Sequence, residues 1–217
     1  MMNGVFITFE GLDGSGKTTQ INKLNDYLIK SGYEVVITRE PGGTPIGDLV
    51  RDILLDRRNE EMSFKTEVLL FEASRSELVS KVIKPAIDSG KIVICDRFFD
   101  STIVYQGIAR DMGVERVYEM SLWATSGIEP DLTILLSLDA RSSEGRLDLK
   151  QKGRDRIEHE ESLFKEKIQK GYNEIADRFK DRFVVVDASM DVDKTFKKIT
   201  EEVETLLEKR GLAGVKG

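Results

Sequence analysis

Apolar and polar positions along the chain fall into two alternating kinds of segment. Five short runs, VFITFE (5–10), EVVITRE (34–40), KIVICD (91–96), DLTILLSL (131–138) and RFVVVDA (182–188), are rich in β-branched residues and barely alternate. Runs of that kind read as strands buried on both faces, the pattern of a parallel sheet flanked by helices. Between them, apolar positions recur at helical period: TTQINKLNDYLIKSG (18–32), IGDLVRDILLD (46–56), TEVLLFEASRSELVSKVIKPAIDSG (66–90), a stretch between 100 and 127, one near 160–180, and VDKTFKKITEEVETLLEKR (192–210). Gly32 and Gly90 stand where helix C-caps belong, and Pro85 is expected to kink or reset its helix. Strand and helix alternate throughout, so the expected architecture is one doubly wound α/β domain over residues 1–217, with a five-stranded parallel sheet.

Composition narrows the class. A chain of 217 residues is long enough for one large domain with a sizeable core. With 40% hydrophobic and 33% charged residues it reads as globular, with a highly charged surface. A formal net charge of −6 disfavours a nucleic-acid scaffold but leaves room for a local basic pocket. The single cysteine, Cys95, excludes a disulfide framework and points to a reducing compartment. No basic segment followed by a long apolar run opens the chain, and no apolar run approaches the ~20 residues that span a bilayer. The expectation is a cytoplasmic protein that engages neither membrane nor nucleic acid.

The first strand runs into Gly11-Leu12-Asp13-Gly14-Ser15-Gly16-Lys17-Thr18, which fits G-x-x-x-x-G-K-[ST] and opens a helix. The glycines let backbone N–H groups turn inward around a triphosphate, and the helix N-terminus adds partial positive charge. Lys17 is expected to reach the β- and γ-phosphates and the Thr18 hydroxyl to ligate Mg2+, with Thr19 completing the ATP cradle. In a parallel α/β sheet, ligands lie beyond the carboxyl ends of the strands. At the second strand's tip the chain reads Arg39-Glu40-Pro41-Gly42-Gly43; the proline and glycines read as a turn, while Arg39 and Glu40 are candidates for contact. At the third, Asp96 and Arg97 end a strongly apolar run. Asp96 can hold metal-bound water, and the Arg97 fork can clamp a phosphate; a salt bridge with a helix cap from Asp100 or Ser101 is the structural alternative.

Two further features stand out. Arg75 lies on the apolar stripe of helix 66–90, one turn from Phe71. An inward guanidinium needs either a buried carboxylate or a ligand, the latter with Phe71 stacked on a flat ring. Thr102 and Tyr105 share a helix face, beside Gln106. The segment RSSEGRLDLKQKGRDRIE (141–158) is the one concentrated cationic stretch, with Arg146, Lys150, Lys152, Arg154 and Arg156. It reads either as a solvated loop or as a lid that folds cations over phosphates.

Taken in order, FEGLDGSGKTTQ, TREPGGTPIG, LLFEASR, DRFFDST followed by YQG, PDLTILL and GRDRIE resemble the bacterial thymidylate kinase family over about residues 5–190. The resemblance implies the P-loop nucleoside-monophosphate kinase fold, strand order 2-3-1-4-5 with a lid, a homodimer, and transfer of phosphate from ATP to dTMP with Mg2+. It further implies that Phe71 stacks on thymine, Arg75 bonds its carbonyl edge, and Arg97 binds the dTMP phosphate. Asp96 would sit beside the metal, Tyr105 by the sugar, and Thr102 and Gln106 at the base. Asp13 would face the acceptor, Arg51 would help hold its phosphate, and Glu40 would line the same site. Members that carry an arginine in the P-loop differ from this chain, whose Leu12, Asp13 and Ser15 are not basic. Catalytic cations are then expected from the lid, Arg154 first and Arg146, Lys152 or Arg156 as alternates. The competing readings are a deoxynucleoside kinase, with Glu40 as base, and a P-loop regulatory or assembly ATPase.

Overall fold

The computed structural model describes residues 4–138, 156–157 and 162–212. Five strands, β1 (Val5–Glu10), β2 (Val35–Arg39), β3 (Ile92–Asp96), β4 (Leu132–Ser137) and β5 (Phe183–Asp187), form one sheet in the order β2-β3-β1-β4-β5. All neighbouring pairs run parallel. The central strands are buried almost throughout. The edge strands are not: Ile37 of β2 and Val185 of β5 are exposed. The expectation of burial on both faces therefore fails at the edges, where a strand has only one neighbour and incomplete helical cover.

Alternation along β1 splits the interior into two cores. Val5, Ile7 and Phe9 face one side, where α1 (Lys17–Lys30) and the last described helix (Val192–Lys209) supply Ile21, Leu24, Ile199 and Val203. Phe6, Thr8 and Glu10 occupy the alternate positions. On that side Phe6 joins Val68, Val93, Phe98 and Leu135 in the second core. Thr8 Oγ1 bonds Thr133 Oγ1 at 2.9 Å, and Glu10 brings a carboxyl group, fully buried, whose pKa burial raises above the usual value against the pull of Arg97. This face thus turns from apolar to polar toward the strand's carboxyl end.

The helices start and stop for local reasons. Gly16, at φ 98°, turns the chain into α1. Gly32, at φ 87°, ends it, with Tyr33 N–H donating to Leu28 O at 3.0 Å. Thr44 caps α2 (Pro45–Leu55), accepting from Gly47 N–H, with Pro45 in the first turn. The predicted helix 66–90 is divided: α3 (Phe64–Leu78) passes through a π-wound stretch (Val79–Ile83) into α4 (Lys84–Asp88), whose first turn contains Pro85. A wider turn just upstream of a proline accommodates its missing donor. The predicted stretch 100–127 is likewise divided into α5 (Phe99–Thr102), a π-wound segment (Ile103–Ala109) and α6 (Val114–Ala124), broken where Asp111 and Gly113 adopt positive φ. Among the described residues, the remaining α-helices are α7 (Ser162–Arg178) and α8 (Val192–Lys209), and a 3-10 turn spans Arg57–Asn59. Of the cationic segment 141–158, Arg154 and all but residues 156 and 157 lie outside the described residues.

Candidate active site

The carboxyl ends of β1 and β3 lie side by side, with Phe9 in register with Asp96. The P-loop therefore leaves β1 directly beside the Asp96-Arg97 tip. Lys17, 6% exposed, donates to Gly11 O at 3.0 Å and Leu12 O at 3.1 Å and lies 3.6 Å from Asp13. Burial and Arg97 press its ammonium pKa below the usual lysine value, against the pull of Asp13, Asp96 and Glu10. Thr18 and Thr19 are exposed at the helix start. A side chain at Gly11 would meet Leu136 O at 2.5 Å, so the loop packs against β4 as closely as glycine allows.

Arg97 joins the two strand ends. It sits at φ 69°, a left-handed conformation uncommon for a non-glycine residue. Its Nη2 donates to Asp13 Oδ1 at 2.7 Å, and its guanidinium lies 5.5 Å from the Tyr105 ring centre. Burial would raise the Asp13 carboxyl pKa, but Arg97 and Lys17 overcome this and hold it well below the usual carboxylate range. Arg97 Nη1 donates to Ser101 Oγ and Tyr172 Oη, both at 3.0 Å. Behind these hydroxyls lies Glu10, fully buried, which accepts from Phe98 N–H, Ser101 N–H, Ser101 Oγ and Tyr172 Oη.

A second cluster lies between β2's tip, α3 and the π-wound segment. Arg75 is 1% exposed. Its Nε and Nη2 donate to Glu40 Oε2 at 2.8 and 2.6 Å, Nη1 to Glu72 Oε1 at 2.7 Å, and Nη2 to Thr102 Oγ1 at 2.8 Å. Of the two solutions for an inward arginine, the buried carboxylate is realised, twice over. Phe71, one turn earlier, is only half-buried. Gln106 Nε2 donates to Glu67 Oε1 at 2.8 Å, and Arg156 Nη2 to Glu67 Oε2 at 2.6 Å. Arg156, a candidate lid cation, is thus buried against α3, with Nε on Leu54 O at 2.7 Å. Arg51 Nη1 donates to Pro41 O at 2.9 Å, beside the cis Glu40–Pro41 bond.

The structural alternative for the β3 tip is met in a different way. Neither Asp100 nor Ser101 caps α5; the N–H groups of Phe98 and Ser101 at its start go to Glu10 Oε1. Asp100 instead pairs with both Nη atoms of Arg182 at 2.7 Å, and Ser101 is spent on Glu10.

The residues near the P-loop suit a divalent cation. Asp96 Oδ1 and Ser15 Oγ are buried and have no hydrogen-bond partner among the described residues. Such orphaned oxygens in a native site call for an ion, a water or a ligand. Among the described residues no three His, Cys, Asp or Glu side chains converge on one point.

Several of these residues escaped the sequence reading. Glu10 carried a usable signal: it is a carboxylate ending a buried apolar strand, as Asp96 is. Glu72 stands three residues before Arg75, the spacing of a helical ion pair. Tyr172 gave no such signal, because on an amphipathic helix it reads as core.

Comparison with known proteins agrees with this geometry. The family model described as thymidylate kinase matches residues 9–199. A thymidylate kinase from Thermoanaerobacter sp. (strain X514) is 46% identical over 209 residues, covering 95% of this chain and all of the relative. One from Bacillus licheniformis is 40% identical over 212 residues, covering 97% of this chain and all of the relative. The crystal structure of thymidylate kinase from Ehrlichia chaffeensis superposes with a TM-score of 0.74 at 32% identity, covering 93% of this chain and 99% of that one. The sheet order, the P-loop and the matched length agree, and the chain belongs to the thymidylate kinase family.

Proposed function

We propose the following division of labour for the reaction of this chain, phosphorylation of dTMP to dTDP with ATP as donor. The loop from Gly11 to Gly16, with Lys17, Thr18 and Thr19, cradles the ATP phosphates. Thr18 and Asp96 hold Mg2+, directly or through water, and the ion supplies charge neutralisation on the transferred group. Arg97 binds the dTMP phosphate, assisted by Arg51, and Asp13 lies between donor and acceptor. Phe71 stacks on thymine; Arg75, Thr102 and Gln106 line its edge, with Glu40 orienting Arg75; Tyr105 lies by the sugar. The observation that carries this reading is the Asp13–Arg97 pair, which joins the donor cradle to the β3 tip at 2.7 Å.

A phosphate monoester has a second pKa near ~6, so the acceptor is largely ionised at neutral pH and no general base is needed. The task left to the protein is to bring two polyanions into line and neutralise them. Lys17 and Arg97 are placed for that, and Arg154 from the lid segment 141–158 completes the cation set, with Arg146 and Lys152 as alternates. The nucleoside-kinase reading fits less well, because Glu40 is buried and already bonded to Arg75.

The chain works as a single domain and as a homodimer in the cytoplasm. Support for the dimer comes from α2, where Ile46, Leu49 and Ile53 expose one apolar face, and from α3, which packs on α2 and exposes Leu69. Support for the location comes from the lone cysteine, and among the described residues no helix is long and apolar enough to cross a membrane. A panel of acceptors offered with ATP–Mg2+ tests the reaction: dTMP is consumed and thymidine is not. Transfer to thymidine alone, or ATP hydrolysis indifferent to any acceptor, would sink this reading.

A further inference from the structure

We infer that Tyr172 is a positioning residue for phosphoryl transfer, acting through its hydroxyl on Arg97; this rests on Arg97 being the residue that binds the acceptor phosphate. Tyr172 lies on α7, 75 positions from Arg97 in sequence. Its ring packs edge-on to Tyr105 at 6.5 Å, which the phenyl part alone supplies. Its oxygen does something else. It accepts from Arg97 Nη1 at 3.0 Å and donates to Glu10 Oε2 at 2.8 Å. Ser101 Oγ repeats the arrangement, accepting from Nη1 at 3.0 Å and donating to Glu10 Oε2 at 2.5 Å.

The proton count closes. Nη1 has two protons, and two hydroxyl oxygens take them. Each hydroxyl donates its own O–H to the same carboxylate oxygen. Glu10 is 3.9 Å from Nη1, beyond direct hydrogen-bond distance, so its hydrogen bonding to the guanidinium runs through these two bridges. Both protons of one terminal nitrogen being held, the guanidinium plane cannot turn. This matters because the Arg97 backbone is in an uncommon conformation that aims the side chain but does not fix its far end. A planar fork recognises phosphate only in the right plane. With one bridge removed, Nη1 loses a buried acceptor, Glu10 loses one of its donors, and the fork is free to turn about its remaining bond to Asp13.

The test is Tyr172→Phe, which keeps the ring and removes the oxygen, together with Arg97→Lys and the double variant. Kinetics are measured with dTMP and ATP varied in turn, and thermal melting is followed alongside. For Tyr172→Phe, kcat/KM for dTMP should fall roughly ten- to a hundredfold, the loss of one hydrogen bond to a charged group, while KM for ATP stays within about twofold. In the Arg97→Lys background the same change should add little, because the fork it orients is gone. Full additivity, equal effects on both substrates, or a Tyr172→Phe chain that no longer folds would each overturn the inference. Arg97→Lys with unaltered dTMP kinetics would instead overturn the underlying assignment of Arg97.

Discussion

Arg75 shows how burial and charge are reconciled at a single residue. Its guanidinium is enclosed by Glu40, Glu72 and Thr102, and Ser121 Oγ adds a bond to Glu72 at 2.7 Å. Two carboxylates face one arginine, and Glu40 Oε1 and Glu72 Oε2 have no hydrogen-bond partner among the described residues. Burial accordingly pushes the Glu40 carboxyl up to about 7 from 4.5, even though Arg75 opposes it. A folded pKa above the unfolded one means the folded state holds the proton more tightly. Glu40 is therefore neutral in its effect on stability below about pH 4.5, and its cost grows through pH 7 and is full above it. In Glu40→Gln the slope of Tm against pH between about 5 and 8 should be shallower by several degrees; parallel curves would refute this. Phe71, one turn before Arg75, should behave differently. Phe71→Ala should raise KM for dTMP several-fold to about tenfold, the worth of one ring stack, and leave KM for ATP unchanged. Equal shifts for both substrates would count against stacking.

At the scale of elements, the polar ends of β1 and β4 tie the sheet to the helices on one side. Thr133 Oγ1 donates to Asp100 Oδ2 at 3.1 Å, and Arg182, just before β5, donates to the same carboxylate and stacks on Phe99, Phe179 and Phe183. One buried pair thus joins α5, β4 and the entry to β5. Asp100→Ala would leave Arg182 with the longer contact to Glu129, 3.9 Å from Nε, in place of its two-pronged partner. The expected cost is about 3–5 kcal/mol by denaturant unfolding, with kcat near normal at low temperature where the chain stays folded. A loss of kcat without loss of stability would place Asp100 in the chemistry instead. Element boundaries also explain what periodicity left open. Helix and π-wound turns carry much the same apolar stripe, so the divisions within 66–90 and 100–127 were not legible beyond Pro85.

At the scale of the molecule, the apolar face of α2 is the feature a monomer does not explain. Ile46, Leu49 and Ile53 recur at helical spacing on the outer face, and Leu49 is 66% exposed. Leu49→Glu should shift the chain from dimer to monomer by sedimentation or light scattering. Its melting temperature should then lose its dependence on protein concentration. A chain that is monomeric before the substitution would remove the basis for this expectation.

The sequence by itself determined the fold class, the strand segments and the P-loop, because these rest on local periodicity, turn residues and a contiguous motif. It also singled out Asp96, Arg97 and Arg75, because a charge ending or entering an apolar run is visible without any partner. Tertiary structure alone decided the partners. That Arg75 meets Glu40 and Glu72, that Arg97 bridges Asp13 and the two hydroxyls over Glu10, and that Arg156 is spent on Glu67 depend on residues up to 162 positions apart. A charge announces from sequence that it needs a partner. Which partner it finds is set by how the strand ends and helices converge, and no local pattern encodes that.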